Sequence, residues 1–137
     1  MDKYKFMDDI TSDVMFEAYG KDLKELFSNA AEAMFNVICK VSKIKHDKSI
    51  EIEVKGKNLE ETLWNWLSEL IASVDIEQMF FSKFKIIEAN EKKVKARIYG
   101  QEIKPELGET VVKSLTNYKY KVEKTEKNYK ATISLDI

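Results

Sequence analysis

A four-residue turn that occurs twice constrains this chain more than any other feature. Gly20-Lys21-Asp22-Leu23 and Gly56-Lys57-Asn58-Leu59 match in kind at each position, and Glu25 answers Glu61 at the same offset. Ahead of each turn the apolar residues alternate: Val14, Phe16 and Ala18 in the first case, Ile50, Ile52 and Val54 in the second. That is the period of a half-buried strand. Behind each turn the period becomes helical. Leu23, Leu26, Phe27, Ala30, Ala31, Met34, Phe35 and Ile38 share one helix face; so do Leu59, Leu63, Trp66, Leu67, Leu70, Ile71 and Val74, with Trp64 beside them. Asp22 with Glu25, and Asn58 with Glu61, have the spacing of a capping box, in which the cap side chain and the residue three on satisfy each other's free amides. The pattern predicts helices from Asp22 to Ile38 and from Asn58 to Val74. It reads as a repeated strand-glycine-helix unit, with two strands expected after each helix. Convergence on the same cap chemistry is the alternative explanation.

The remaining segments alternate. Tyr4 and Phe6 belong to a strand-like opening, and Ser49 to Lys55, Met79 to Ile87 and Lys92 to Tyr99 read as strands, the last two around a polar turn at Glu88 to Glu91. Pro105 and Gly108 mark a loop. Strands near Lys119 to Lys124 and Tyr129 to Asp136 follow, joined by a turn at Thr125 to Asn128. Two amphipathic helices need an apolar sheet face to cover, so the expected class is α+β: two main helices on a mostly antiparallel sheet, in a single domain over residues 1–137. With 44% hydrophobic and 34% charged residues, the chain can bury enough surface to fold. Leu26, Phe27, Met34, Leu63, Leu67 and Leu70 are the expected core.

Charge and composition exclude several functions. Lysine and arginine (23) nearly balance aspartate and glutamate (24), for a net charge of -1, so stable nucleic-acid binding by the whole surface is not expected. No apolar run approaches the ~20 residues of a membrane span, and the opening MDKYKFMDD lacks the apolar stretch of a signal peptide. A cytoplasmic protein is expected. The lone cysteine, Cys39, sits at the end of an apolar helical stripe and reads as a small buried hydrophobe. His46, the lone histidine, falls among lysines and reads as a solvated loop residue. There is no glycine-rich phosphate loop, nucleophile elbow or helical histidine pair. The chain is not expected to be an enzyme.

One polar knot interrupts the apolar opening: Asp8, Asp9, Thr11, Ser12 and Asp13. Three carboxylates so close repel unless they are exposed, hydrogen-bonded or neutralised by a cation. Spacing alone favours an exposed loop capped by aspartates. The alternative is a hard cation, calcium or magnesium, which takes oxygen ligands of this kind. At the other end, Asp136 and Ile137 close the final strand; if that strand ends beside the first, their oxygens join those near Asp13. An exposed tail is the commoner reading of such an end.

The order of several short motifs resembles the archease family, the activators of the GTP-dependent RNA-splicing ligase. Asp9-Ile10-Thr11-Ser12-Asp13-Val14-Met15, running on to Tyr19-Gly20, is similar to that family's D-H-T-A-D-[VI]-G opening. Leu23 to Phe27 with Ala30-Ala31 resembles L-E-E-L-F…A-A. Trp66 to Ile71 and Asp75 to Phe81 resemble W-L-x-E-L-L and D-x-E-G-L-x-F. Val112-Lys113-Ser114-Leu115-Thr116 is similar to V-K-A-[VI]-T, and Leu135-Asp136-Ile137 to the terminal L-D-[IL]. The resemblance implies a divalent-cation site at Asp13, Asp136 and Ile137, with Asp9 and Lys113 as additional members. It implies an accessory protein that promotes guanylylation and turnover of the tRNA-splicing ligase, without catalysis of its own. A chaperone-like partner of a tRNA methyltransferase is the runner-up, and a small metal-dependent hydrolase on the aspartate cluster the third reading. An oxygen-only set favours calcium, magnesium or manganese. Three departures stand out: Ile10 for the family's histidine, Met15 for its glycine, and Asn117-Tyr118-Lys119 for its Y-H-D.

Overall fold

A computed structural model describes residues 2–8 and 13–137. Its elements run β1 (Tyr4–Met7), β2 (Val14–Gly20), α1 (Leu23–Ile38), β3 (Lys48–Lys55), α2 (Leu59–Glu77), β4 (Met79–Asn90), β5 (Lys93–Glu102), β6 (Ser114–Lys124) and β7 (Tyr129–Asp136). Short 3₁₀ turns occupy Val41–Lys43 and Pro105–Leu107. The fold class is the α+β class expected, and all strand pairs are antiparallel, but they form two sheets: β1-β2-β7-β6 and β3-β5-β4.

The repeated turn is repeated in three dimensions. Asp22 Oδ1 accepts the Glu25 amide at 2.9 Å while the Lys21 amide donates to Glu25 Oε1 at 3.2 Å. Asn58 Oδ1 accepts the Glu61 amide at 2.9 Å, and the Lys57 amide donates to Glu61 Oε1 at 3.2 Å. The correspondence extends past the cap: Asn29 Nδ2 donates to the Tyr19 carbonyl and Asn65 Nδ2 to the Lys55 carbonyl. Each asparagine ties its helix back to the strand before it. Glycine opens both turns because helix backbone passes over it; a Cβ on Gly20 would meet the Leu26 amide, and one on Gly56 would meet Thr62.

The expectation of two strands directly after each helix is corrected. β2 pairs with β7 and β3 with β5, so each repeated strand gains its own hairpin, β6-β7 or β4-β5. Both hairpins come after both helices in sequence. Strand pairing is long-range, and order along the chain does not reveal which hairpin joins which strand.

The helices hold the two sheets together. α1 packs on β2 and β4, and α2 packs on β3 and β6, so each helix touches both sheets. Phe35 lies against Phe81 and Phe84 of β4, with ring centroids 5.8 and 5.2 Å apart. Trp64 meets Tyr120 of β6 at 5.0 Å, and the Tyr120 hydroxyl donates to the Glu60 carbonyl at 2.6 Å. Between the helices, Trp66 Nε1 donates to the Phe27 carbonyl at 3.0 Å, which satisfies a wholly buried indole. The six residues expected in the core, Leu26, Phe27, Met34, Leu63, Leu67 and Leu70, are all fully buried in one apolar cluster. α2 runs past the expected Val74 to Glu77 and stops at Gln78, whose left-handed backbone (φ 55) ends the helix. Among the described residues no helix is long and apolar enough to cross a membrane.

Candidate metal centre

The pairing of β2 with β7 decides where the two ends of the chain lie. Its register runs from Gly20↔Tyr129 to Val14↔Leu135. The next residues outward are Asp13, in the bend before β2, and Asp136, the last residue of β7. The two aspartates therefore flank the same end of one antiparallel ladder, over a hundred residues apart in sequence. Alternation fixes the face. Phe16, Ile133 and Leu135 point into the core, so Met15 and Ser134 point away from it and Asp136 shares their parity. Asp13 and Asp136 are both half-buried, and Ile137 is 40% exposed.

Lys113 and Ser114 complete the surroundings on the other flank of β7. The Lys113 amide donates to the Asp136 carbonyl at 2.8 Å, and Ser114 is the register partner of Asp136. The contact of Lys113 is thus through main chain, its side chain being exposed. Asp9, with Ile10, Thr11 and Ser12, lies outside the described residues. No lysine or arginine among the described residues neutralises Asp13 or Asp136. Two uncompensated carboxylates at one sheet end suit a hard cation. They do not make a cage by themselves: the described residues contain no group of three or more His, Cys, Asp or Glu side chains able to hold a metal. Carboxylate oxygens of this kind are the donor chemistry of calcium, magnesium or manganese.

A bulge beside this end was not foreseen. β6 pairs with β7 at Thr116↔Ser134 and resumes at Lys121↔Thr132, so the intervening residues arch out of the ladder. Lys119 takes a left-handed backbone there (φ 54), and the Tyr118 carbonyl accepts the buried Ser134 hydroxyl at 2.9 Å. This arch contains the Asn117-Tyr118-Lys119 departure. No glycine announces it, so composition carried no signal. Met15, a second departure, is 3% exposed although it faces away from the main core, and with Met7, Lys119 and Tyr120 it lines a shallow groove.

The groups set aside on sequence grounds stay outside this centre. Cys39 is buried, its Sγ directed at the Phe35 carbonyl (3.5 Å), and burial together with Glu109 pushes its thiol up to about 12. At neutral pH it is not a thiolate and so not a nucleophile. His46 is exposed and meets Ser82 Oγ at 2.7 Å, and no hydrogen bond joins it to Cys39 among the described residues.

The sequence model of the archease protein family matches residues 4–137. The chain belongs to the archease family. It is 37% identical over 141 residues to the protein archease of Methanosarcina acetivorans, covering 98% of this chain and 96% of that one. To the protein archease of Sulfolobus acidocaldarius it is 35% identical, with 100% of both chains covered. The solution structure of a Methanobacterium thermoautotrophicum protein superimposes with a TM-score of 0.81 at 31% identity over 100% of both chains. A Thermotoga maritima crystal structure, described as an archease and possible chaperone, superimposes with a TM-score of 0.67 over 96% of this chain and 95% of that one. At 20% identity the latter likeness is one of fold. Family membership thus agrees with the order of motifs read along the chain, including those at its two ends.

Proposed function

We propose that this archease-family chain is a metal-binding accessory protein that promotes guanylylation and turnover of a GTP-dependent RNA-splicing ligase. The observation that carries the reading is the β2–β7 register, which continues outward to Asp13 and Asp136, the positions where the family resemblance implies a cation. Asp13, Asp136 and the main-chain oxygens of Ile137 would hold calcium, magnesium or manganese. The ion would supply positive charge at a site otherwise left with repelling carboxylates. The chain's own part would be to present these oxygens from one end of the ladder, with the Lys113 amide held on the Asp136 carbonyl. On this reading the protein works in the cytoplasm, on a protein partner, without stable RNA binding and without catalysis of its own.

Purified cognate ligase, GTP and metal should form the ligase–guanylate faster with this protein than without it. Asp13→Ala and Asp136→Ala should lose the stimulation while melting as the metal-free wild type does. If both variants stimulate like wild type, the site assignment is wrong. If wild type does not stimulate at all, the ligase reading is wrong. The chaperone-like reading, which draws on the description of the Thermotoga maritima neighbour, would then be tested by whether the protein keeps a tRNA methyltransferase soluble on dilution from denaturant.

A further inference from the structure

The C-terminal ends of both helices open onto one cleft. Ile38 from the end of α1, and Ile71 and Val74 from the end of α2, line it with Phe80, Ile103 and Val112. Its volume, about 350 Å³, falls in the range of clefts that take up ligand groups (~300–1,000 Å³). Two lining residues are charged, Asp75 and Glu109; both are acidic and exposed, and neither meets a lysine or arginine among the described residues. The helices add to this sign. A helix C-terminus carries roughly half a negative charge, and neither α1 nor α2 has a basic residue in its last turn. The cleft is therefore apolar in its walls and negative at its rim.

One wall also offers main chain. The Glu109 and Thr110 amides donate to the Ile38 and Val37 carbonyls at 2.9 and 3.0 Å, closing off α1, and the Lys113 amide is spent on Asp136. Between them, the Val111 and Val112 amides meet no protein acceptor among the described residues. The Val111 side chain is 79% exposed, and Ile76, next to Asp75 on α2, is 72% exposed. Val111 is thus a large apolar side chain left in water beside its own amide, which has no protein acceptor among the described residues.

We propose that this cleft docks an extended segment of a partner protein whose apolar side chains are flanked by lysine or arginine. The walls take apolar side chains, a free amide of the Val111–Val112 wall takes a main-chain carbonyl, and the carboxylates and helix ends take the cations. Each feature calls for a different part of that segment, and the same negative rim repels an anionic lipid surface or a phosphorylated chain. The cleft joins the metal centre through the Val112-Lys113 connection, so a docked partner sits beside Asp136. The inference does not rest on the ion: it stands if Asp13 and Asp136 bind none.

Fluorescence anisotropy with short labelled peptides tests it. A peptide alternating leucine and lysine should bind the wild-type protein, more weakly as salt rises. A leucine–glutamate peptide and a serine–lysine peptide should not. The double variant Asp75→Asn/Glu109→Gln, and separately Val111→Ser, should each weaken leucine–lysine binding by about tenfold or more; all three positions are exposed, so an unchanged melting temperature confirms an intact fold. Equal binding to these variants, or equal binding of the leucine–glutamate or serine–lysine peptide, overturns the proposal. So does concentration-dependent self-association that Val111→Ser abolishes in a protein that binds no peptide, since the cleft would then belong to a second copy of this chain.

Discussion

The two copies of the strand-turn-helix unit share their scaffold and differ where chemistry would be placed. Both keep the glycine, the reciprocal cap and the asparagine tie between helix and strand. Both also carry a lysine bridging two glutamates: Lys130 with Glu17 and Glu123 in the first copy, Lys93 with Glu53 and Glu88 in the second. At the ladder end the copies part. Where the first presents Asp13 and Asp136, the second presents the register pair Ser49 and Tyr99. The outer face of the second sheet goes on into a ladder of paired charges, Glu51 meeting both Lys95 and Arg97. What repeats is what folds the unit. Of the two ladder ends only the first carries a pair of carboxylates without a basic partner among the described residues, and that asymmetry argues for a binding role better than any single carboxylate does.

The largest effect should come from testing that asymmetry directly. A ligand that binds only the folded state at about 100 times its dissociation constant adds about 2.7 kcal/mol of stability. Calcium or manganese should therefore raise the melting temperature of the wild type. Asp13→Ala or Asp136→Ala should erase the rise, while Ser49→Ala and Tyr99→Phe should leave it intact. Calorimetry showing ion binding unchanged in Asp136→Ala would place the ion elsewhere and dissolve the comparison.

The helices give an effect of the same order, because they fill equivalent positions unequally. α1 offers Ala30 and Ala31 where α2 offers Trp66 and Leu67, all fully buried. Truncating Leu67→Ala removes the bulky member and should cost about 2–5 kcal/mol in a denaturant titration. A cost near zero would show that the face collapses without it. The glycines should behave alike in both copies: Gly20→Ala and Gly56→Ala each force a Cβ against the turn above, and overpacking of this kind costs about 1–3 kcal/mol. Different costs would mean that one turn shifts more readily than the other, since in both the new Cβ meets helix backbone, at Leu26 or at Thr62.

This pattern of shared and divergent parts also explains what the sequence made legible. Caps are local: Asp22 and Glu25 meet because three residues separate them, so both helices could be read to their first residue. Alternation located β2, β3 and β7 for the same reason. The division into two sheets could not be read, since nothing local tells β3 to choose β5 rather than β2. The arch at Asn117–Tyr120 breaks β6 without glycine or proline, and its left-handed residue is a lysine. The juxtaposition of Asp13 and Asp136 followed from the two being at strand ends and from the family motif. The cleft at the helix C-termini has no signature in the sequence because Ile38, Val74 and Val111 come from three segments with no common motif.

The smallest effect concerns an ion-paired group whose setting differs between the copies. Glu17 accepts the Tyr19 hydroxyl at 2.8 Å and pairs with Lys130 at 3.3 Å; its second-copy equivalent, Glu53, has a lysine, Lys55, where Glu17 has Tyr19. The Tyr19 hydrogen bond first, then Lys130, hold the Glu17 carboxyl below its ordinary value of 4.5. Stability from Glu17 is thus present above that value and lost as pH falls through the depressed one. Burial, and then Glu17, push Tyr19 from 10.0 up to about 12, so its contribution is complete below pH 10.0 and lost as pH rises toward 12. The first copy should lose support on both flanks, the second only through its lysine and glutamate. Glu17→Gln should cost less than about 1 kcal/mol at neutral pH, as half-exposed pairs do, and should flatten the acid limb of a plot of melting temperature against pH. Tyr19→Phe should flatten the alkaline limb between pH 10.0 and 12 and leave Lys55→Ala as the control with no such change. An alkaline limb unaltered in Tyr19→Phe would show that the tyrosine proton is not held by the fold, and the contrast between the two copies would then rest on Asp13 and Asp136 alone.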